Sequence, residues 1–236
     1  MAFWITHLAV ADALLKKFPS LNRHAFCIGN IAPDCNIENE DWSSFTPPRE
    51  MTQFMSGKDK AFSDCERFYR AYISGKTFVS QAQRAFLFGY YAHLVTDVMH
   101  QDFMRDEARV CKVWERIEED ESLSEMAKGL RHTWANAKKL FPKEKRFLEQ
   151  SVLEAEYLSE HPDSGYFTEI LPLKECETYI DFLPGSYIVR KIAVMANVPE
   201  RGSIEKFYTI TREEYKEFLS NAIMALKKAF LEKGLP

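Results

Sequence analysis

The stretch Phe86–Phe103, FLFGYYAHLVTDVMHQDF, constrains the fold more than any other part of the chain. Apolar residues recur through Phe86, Leu87, Tyr91, Leu94, Val95, Val98 and Met99 without a proline, which is helical spacing. On a helix, His93, Asp97 and His100 stand at i, i+4 and i+7 and share an arc of roughly 60°. Phe86 and Tyr90 lie on the same stripe, so the polar trio sits on a face that otherwise reads as buried. A buried, unpaired carboxylate is costly unless something compensates its charge. A divalent cation compensates it, and two nitrogens with one oxygen suit zinc. The alternative is a satisfied core network in which Asp97 bonds the two imidazoles or a backbone donor.

The 236 residues, 46% hydrophobic and 28% charged, suffice for one globular domain with a large core. The expected organisation is a single helical domain over 1–236, with the site in 1–140 and a helical extension in 141–236. A net charge of −4 argues against nucleic acid bound through bulk charge. The N-terminal apolar run has no basic segment ahead of it and is interrupted by His7 and Asp12, unlike a secretory signal. No window is long and apolar enough for a bilayer, so a cytoplasmic location is the expectation. Five cysteines with no C-x-x-C pair read as reduced thiols.

Residues 5–18 read as a first helix stopped by Pro19, and His7 shares its inward stripe with Ala11, Leu14 and Phe18. Cys27–Phe54 has no sustained period and reads as a long loop with at most a short helical turn. Asp34 ends its Gly29–Asp34 run on a turn fixed by Pro33, as either a cap or a ligand. Four capping boxes mark helix starts: Ser63 with Glu66, Ser80 with Gln83, Ser122 with Glu125, and Thr211 with Glu214. The third is expected to open a helix reaching Leu140. That helix holds His132, with Asn136 one turn later, a pair that either shares a metal or faces solvent. Residues 143–160 and 174–195 also read as helical, the latter interrupted near Pro184-Gly185. No alternating strand pattern exceeds Lys206–Ile210, so the fold class is all-α. Gly75-Lys76-Thr77 is not a phosphate loop, because Arg70 stands where its first glycine must be.

Taken in order, Thr6-His7, Gly29-Asn30-Ile31-Ala32-Pro33-Asp34, Thr52-Gln53-Phe54 and His93-Leu94-Val95-Thr96-Asp97 resemble the bacterial zinc-dependent phospholipase C family. That family is structurally related to the fungal zinc-dependent single-strand nucleases. The resemblance implies an all-helical domain that holds up to three zinc ions in a cleft and hydrolyses phosphodiesters. Asp34 then corresponds to a zinc ligand and candidate general base, and His93 and Asp97 to the helical H-x-x-x-D ligands. His7 corresponds to the first-helix histidine, His100 to the next one along, and His132 to the histidine of an H-x-x-x-E pair. Three positions depart from the pattern. Gln53 replaces a histidine, Asn136 replaces the carboxylate of the second pair, and Trp4 stands near the place of a mature N-terminal tryptophan. Each departure removes a ligand from a different metal position, so one to three zinc ions, and fewer than the full three, are expected. The implied substrate is a small phosphodiester or a phospholipid head group, with Trp42, Phe45 and Phe54 either lining the cleft or packing in the core. The competing readings are a catalytically degenerate relative that binds a ligand or partner, and a purely structural His/Asp network.

Overall fold

The computed structural model describes residues 3–57, 60–199 and 204–235. The fold is all-α, with one two-stranded ribbon among the described residues. In chain order the helices are α1 (Trp4–Lys17), α2 (Arg23–Ile31), α3 (Arg49–Thr52), α4 (Cys65–Tyr72), α5 (Gln81–Arg105) and α6 (Glu107–Glu118). They continue through α7 (Glu121–Ala127), α8 (Trp134–Leu140), α9 (Lys143–Glu160), α10 (Gly185–Met195) and α11 (Arg212–Glu232). Between α2 and α3 lies the antiparallel hairpin of β1 (Ile37–Glu38) and β2 (Phe45–Thr46). No helix among the described residues is long and apolar enough to cross a membrane.

Helix α5 is the axis of the molecule, and its middle turns are buried on almost every side. Such a helix has no solvated face and must be covered by several partners. Its tightest partner is α2, and two glycines explain the approach. A Cβ on Gly29 would lie 2.0 Å from the Phe86 carbonyl oxygen, and one on Gly89 2.2 Å from that of Phe26. Only a glycine at each place lets the two backbones meet. From the other side α11 adds Phe218, Ala222, Leu226 and Phe230 to the core. Phe230 meets Phe88 edge-on at 5.1 Å. Helices α6, α7 and α8 form a separate small core around Trp114, Val113, Ile117 and Phe141.

Several boundaries differ from the sequence reading. Residues 23–31 are helical, because Asn22 caps the start by accepting the Ala25 N–H. Asp64 rather than Ser63 caps α4, and Asp120 rather than Ser122 caps α7. In both cases the carboxylate one or two residues away accepts the orphan N–H groups. Ser80 caps α5 as expected, and Thr211 and Glu214 form the full reciprocal box. The helix expected from Ser122 to Leu140 is broken, because Gly129 takes φ +78° and Thr133 opens α8 afresh. Within 174–195 only the part from Gly185 onward is helical.

Candidate metal centre

Three of these elements deliver polar groups to one point. Helix α1 contributes His7, the 3-10 turn Ala32–Asp34 after α2 contributes Asp34, and α5 contributes His93 and Asp97. One ligand atom from each of His7, Asp34 and His93 falls within 4.8 Å of the others. Asp97 faces both histidines, its Oδ2 3.3 Å from His93 Nε2 and its Oδ1 3.6 Å from His7 Nε2. Asp34 Oδ1 is 3.9 Å from His93 Nε2. Four ligands held tetrahedrally about 2.0–2.1 Å from zinc stand roughly 3.3 Å apart, so these separations suit a shared ion.

The electrostatics agree with the distances. His93 donates Nδ1–H to the Asn30 carbonyl at 2.7 Å, because that oxygen has no proton to give. Its Nε2 therefore keeps the lone pair turned toward Asp97 and Asp34. This backbone bond orients the ring as such bonds do for metal-ligating histidines. His7 lies flat against His93, ring centroids 3.8 Å apart, and neither nitrogen has a hydrogen-bond partner among the described residues. Burial first, and then the neighbouring His93, push its pKa down to about 4. His7 is thus a neutral imidazole at neutral pH, the form that binds metals. Leaving its lone-pair nitrogen unmet inside a core would cost about 1–3 kcal/mol, which a cation relieves.

Gln53 turns its amide nitrogen toward the cluster. Its amide N–H groups donate to Asp34 Oδ1 at 2.7 Å and to the Pro33 carbonyl at 3.1 Å. The same nitrogen stands 3.4 Å from His93 Nε2. Turning the amide over would aim its oxygen at two other oxygens, so the donor faces the cluster. The amide nitrogen has no lone pair for a metal and holds Asp34 in place, while the buried Oε1 has no hydrogen-bond partner among the described residues.

The remaining sequence candidates fall elsewhere. His100 is buried one turn further along α5, edge-on to Phe218 at 5.3 Å, and is not one of the three grouped ligands. It borders a separate 140 Å³ cavity with Arg146 and Gln150. His132 lies apart from the cluster, about half exposed, stacked on Trp114 at 4.5 Å and 3.1 Å from Glu118. Asn136 is exposed and bonds the Arg131 carbonyl, because the break at Gly129 turns this segment onto the small outer core. Trp4 is the first residue of α1 and borders the cavity beside the cluster, with its backbone inside the chain.

That cavity holds about 370 Å³ and reaches Asp34, the one cluster residue on its wall. It also reaches Glu154, a residue the sequence reading missed. The Glu154 carboxylate accepts the Thr6 backbone N–H at 2.9 Å and the Thr6 hydroxyl. Helix α1 has no side-chain cap of its own, so a carboxylate from α9 serves its first turn immediately before His7. Burial raises the Glu154 pKa to about 7. Gln150 and Glu154, at i and i+4 on α9, are both buried and both bond Thr6.

Residues 3–107 match the family described as zinc dependent phospholipase C. Over that stretch the chain is similar to the zinc-dependent phospholipase C family. The match includes Trp4, His7, Asp34, Gln53, His93, Asp97 and His100, and it ends before His132. No curated protein and no solved structure matches the chain.

Proposed function

We propose that the chain is a zinc-dependent phosphodiester hydrolase of phospholipase C type, working with a reduced metal site. The observation that carries this reading is the convergence of His7, Asp34 and His93, with Asp97 facing both histidines. His7, His93 and Asp97 would hold the ion, and Asp34 would complete the set from the cavity side. Zinc bound there polarises a phosphoryl oxygen and makes water nucleophilic near neutral pH. Asp34, steadied through Oδ1 by Gln53, orients the attacking water and accepts its proton. The Asn30 carbonyl keeps His93 in the ligating tautomer. The cavity beside Asp34 takes the rest of the substrate, with Trp42 and Phe45 on its wall.

One observation favours a second reading, a ligand-binding relative without turnover. The Gln53 donor sits where a further metal ligand would be needed for a fuller zinc set. Turnover of bis(p-nitrophenyl) phosphate by the zinc-loaded chain separates the two. Hydrolysis abolished by chelator and by Asp34→Asn supports the hydrolase, while retained zinc with no hydrolysis supports the binder.

A further inference from the structure

The cavity next to the metal centre is larger than one phosphate requires, and its wall carries donors that hydrolysis at the metal does not use. Asn36 is 3% exposed, and its Nδ2 has no acceptor among the described residues. A buried amide without an acceptor is costly, which points to an acceptor supplied by whatever fills the cavity. Lys191, also 3% exposed, borders the same space and bonds Glu38 at 2.5 Å. The same carboxylate pairs with Arg190 at 2.9 Å. Arg49 lies 3.8 Å from the Phe45 ring centroid, and no described carboxylate pairs with it. Around the hairpin, Glu38 pairs with Lys191 and Arg190, while Asp34, at the metal-centre end, and Glu154 are the carboxylates on the cavity wall itself.

Trp42 and Phe45, the aromatic residues at the hairpin end, do not form a cage for a further cation. Lys191 Nζ already lies 5.3 Å from the Trp42 ring and 5.7 Å from Phe45, and Arg49 also occupies Phe45. At the hairpin end of the space a quaternary ammonium would meet cations where it needs the ring faces of Trp42 and Phe45. An anion would find the Arg49 fork, the Lys191 ammonium and the unmet Asn36 amide.

We propose that the cavity binds a second anionic group of the substrate, a phosphate on the head group, in addition to the phosphodiester at the metal centre. Arg49, Lys191 and Asn36 are its specificity residues. The proposal rests on the phosphodiesterase reading for the chemistry but not for the binding, and the two are tested apart.

The probes are sub-micellar dihexanoyl phosphatidylinositol 4-phosphate and dihexanoyl phosphatidylcholine, with the free head groups inositol 1,4-bisphosphate and phosphocholine. Turnover by the zinc-loaded chain is expected to favour the phosphorylated head group in kcat/KM by about tenfold or more, and Arg49→Ala to shrink that ratio about tenfold. By calorimetry, inositol 1,4-bisphosphate is expected to bind more tightly than phosphocholine. Arg49→Ala, or Asn36→Asp with circular dichroism confirming its fold, is expected to weaken the bisphosphate about tenfold. Binding of the bisphosphate without lipid turnover leaves the anion subsite standing, with a soluble phosphoester as ligand, and removes the phosphodiesterase reading. Lipid turnover without head-group preference, or bisphosphate affinity unchanged in both variants, overturns the subsite.

Discussion

His93 and His132 look alike in sequence and differ in burial and in what surrounds them. Each is followed four residues later by a residue with a side-chain oxygen, and each has aromatic neighbours. His93 is fully buried, its Nδ1 tied to a backbone carbonyl and its Nε2 aimed at carboxylates from two elements. His132 stands at the edge of the outer helices, stacked on Trp114 and paired with an exposed Glu118. Spacing decides which side chains share a helix face. What that face meets is decided by packing over long sequence distances. The two glycines that bring α2 against α5 place Asn30 and Asp34 beside His93, and nothing comparable covers His132.

The largest effect expected from this contrast is on metal content. His93→Ala or Asp97→Ala should weaken zinc binding on the order of 100-fold or more, while His132→Ala leaves it unchanged. Elemental analysis after dialysis at fixed free zinc reads the difference. Equal losses in His93→Ala and His132→Ala would erase the distinction between the two regions.

The next largest effect is on stability. Gly89→Ala drives a methyl into the Phe26 carbonyl and should cost about 3 kcal/mol, at the upper end for overpacking because backbone opposes backbone. Gly129→Ala meets open space but a left-handed φ, and should cost only about 1 kcal/mol. Urea denaturation of the two variants side by side gives the order. A reversed order would mean that the close α2–α5 crossing does not organise the site.

Titration sharpens the picture in the zinc-free chain. His7 folds as a neutral base with its pKa lowered to about 4, so below pH 6.5 the unfolded chain takes up a proton that the folded chain refuses. Stability is therefore lost as pH falls from 6.5 toward 4, by about 3 kcal/mol from this residue. Glu154 works in the opposite sense. With its pKa raised to about 7, it contributes stability that is present below 4.5 and lost as pH rises through 7. Glu154→Gln should thus gain on the parent by about 3 kcal/mol between pH 4.5 and 7. A difference that does not change with pH would show that Glu154 is not held neutral.

Much of this was legible from residues alone, and the reasons for the misses are physical. The period of α5, the inward His7, the turn at Asp34 and the Thr211 box are local features that the fold leaves intact. Helix α2 escaped notice because its Gly29 and Asn30, which lower helix propensity, serve the crossing with α5 rather than the helix itself. Glu154 escaped because α9 carries five glutamates, and only the docking of α1 against it sets this one apart. Gln53 reads as a lost ligand in sequence, and only its three neighbours show it to be a donor.

The central claim is that His7, Asp34, His93 and Asp97 share one zinc ion. Anomalous diffraction at the zinc edge, on crystals of the zinc-loaded chain, tests it most directly. A peak between α1 and α5, about 2.0–2.1 Å from the nitrogens of His7 and His93, is the predicted result. A peak only near His132, or none inside the helical core, would contradict it.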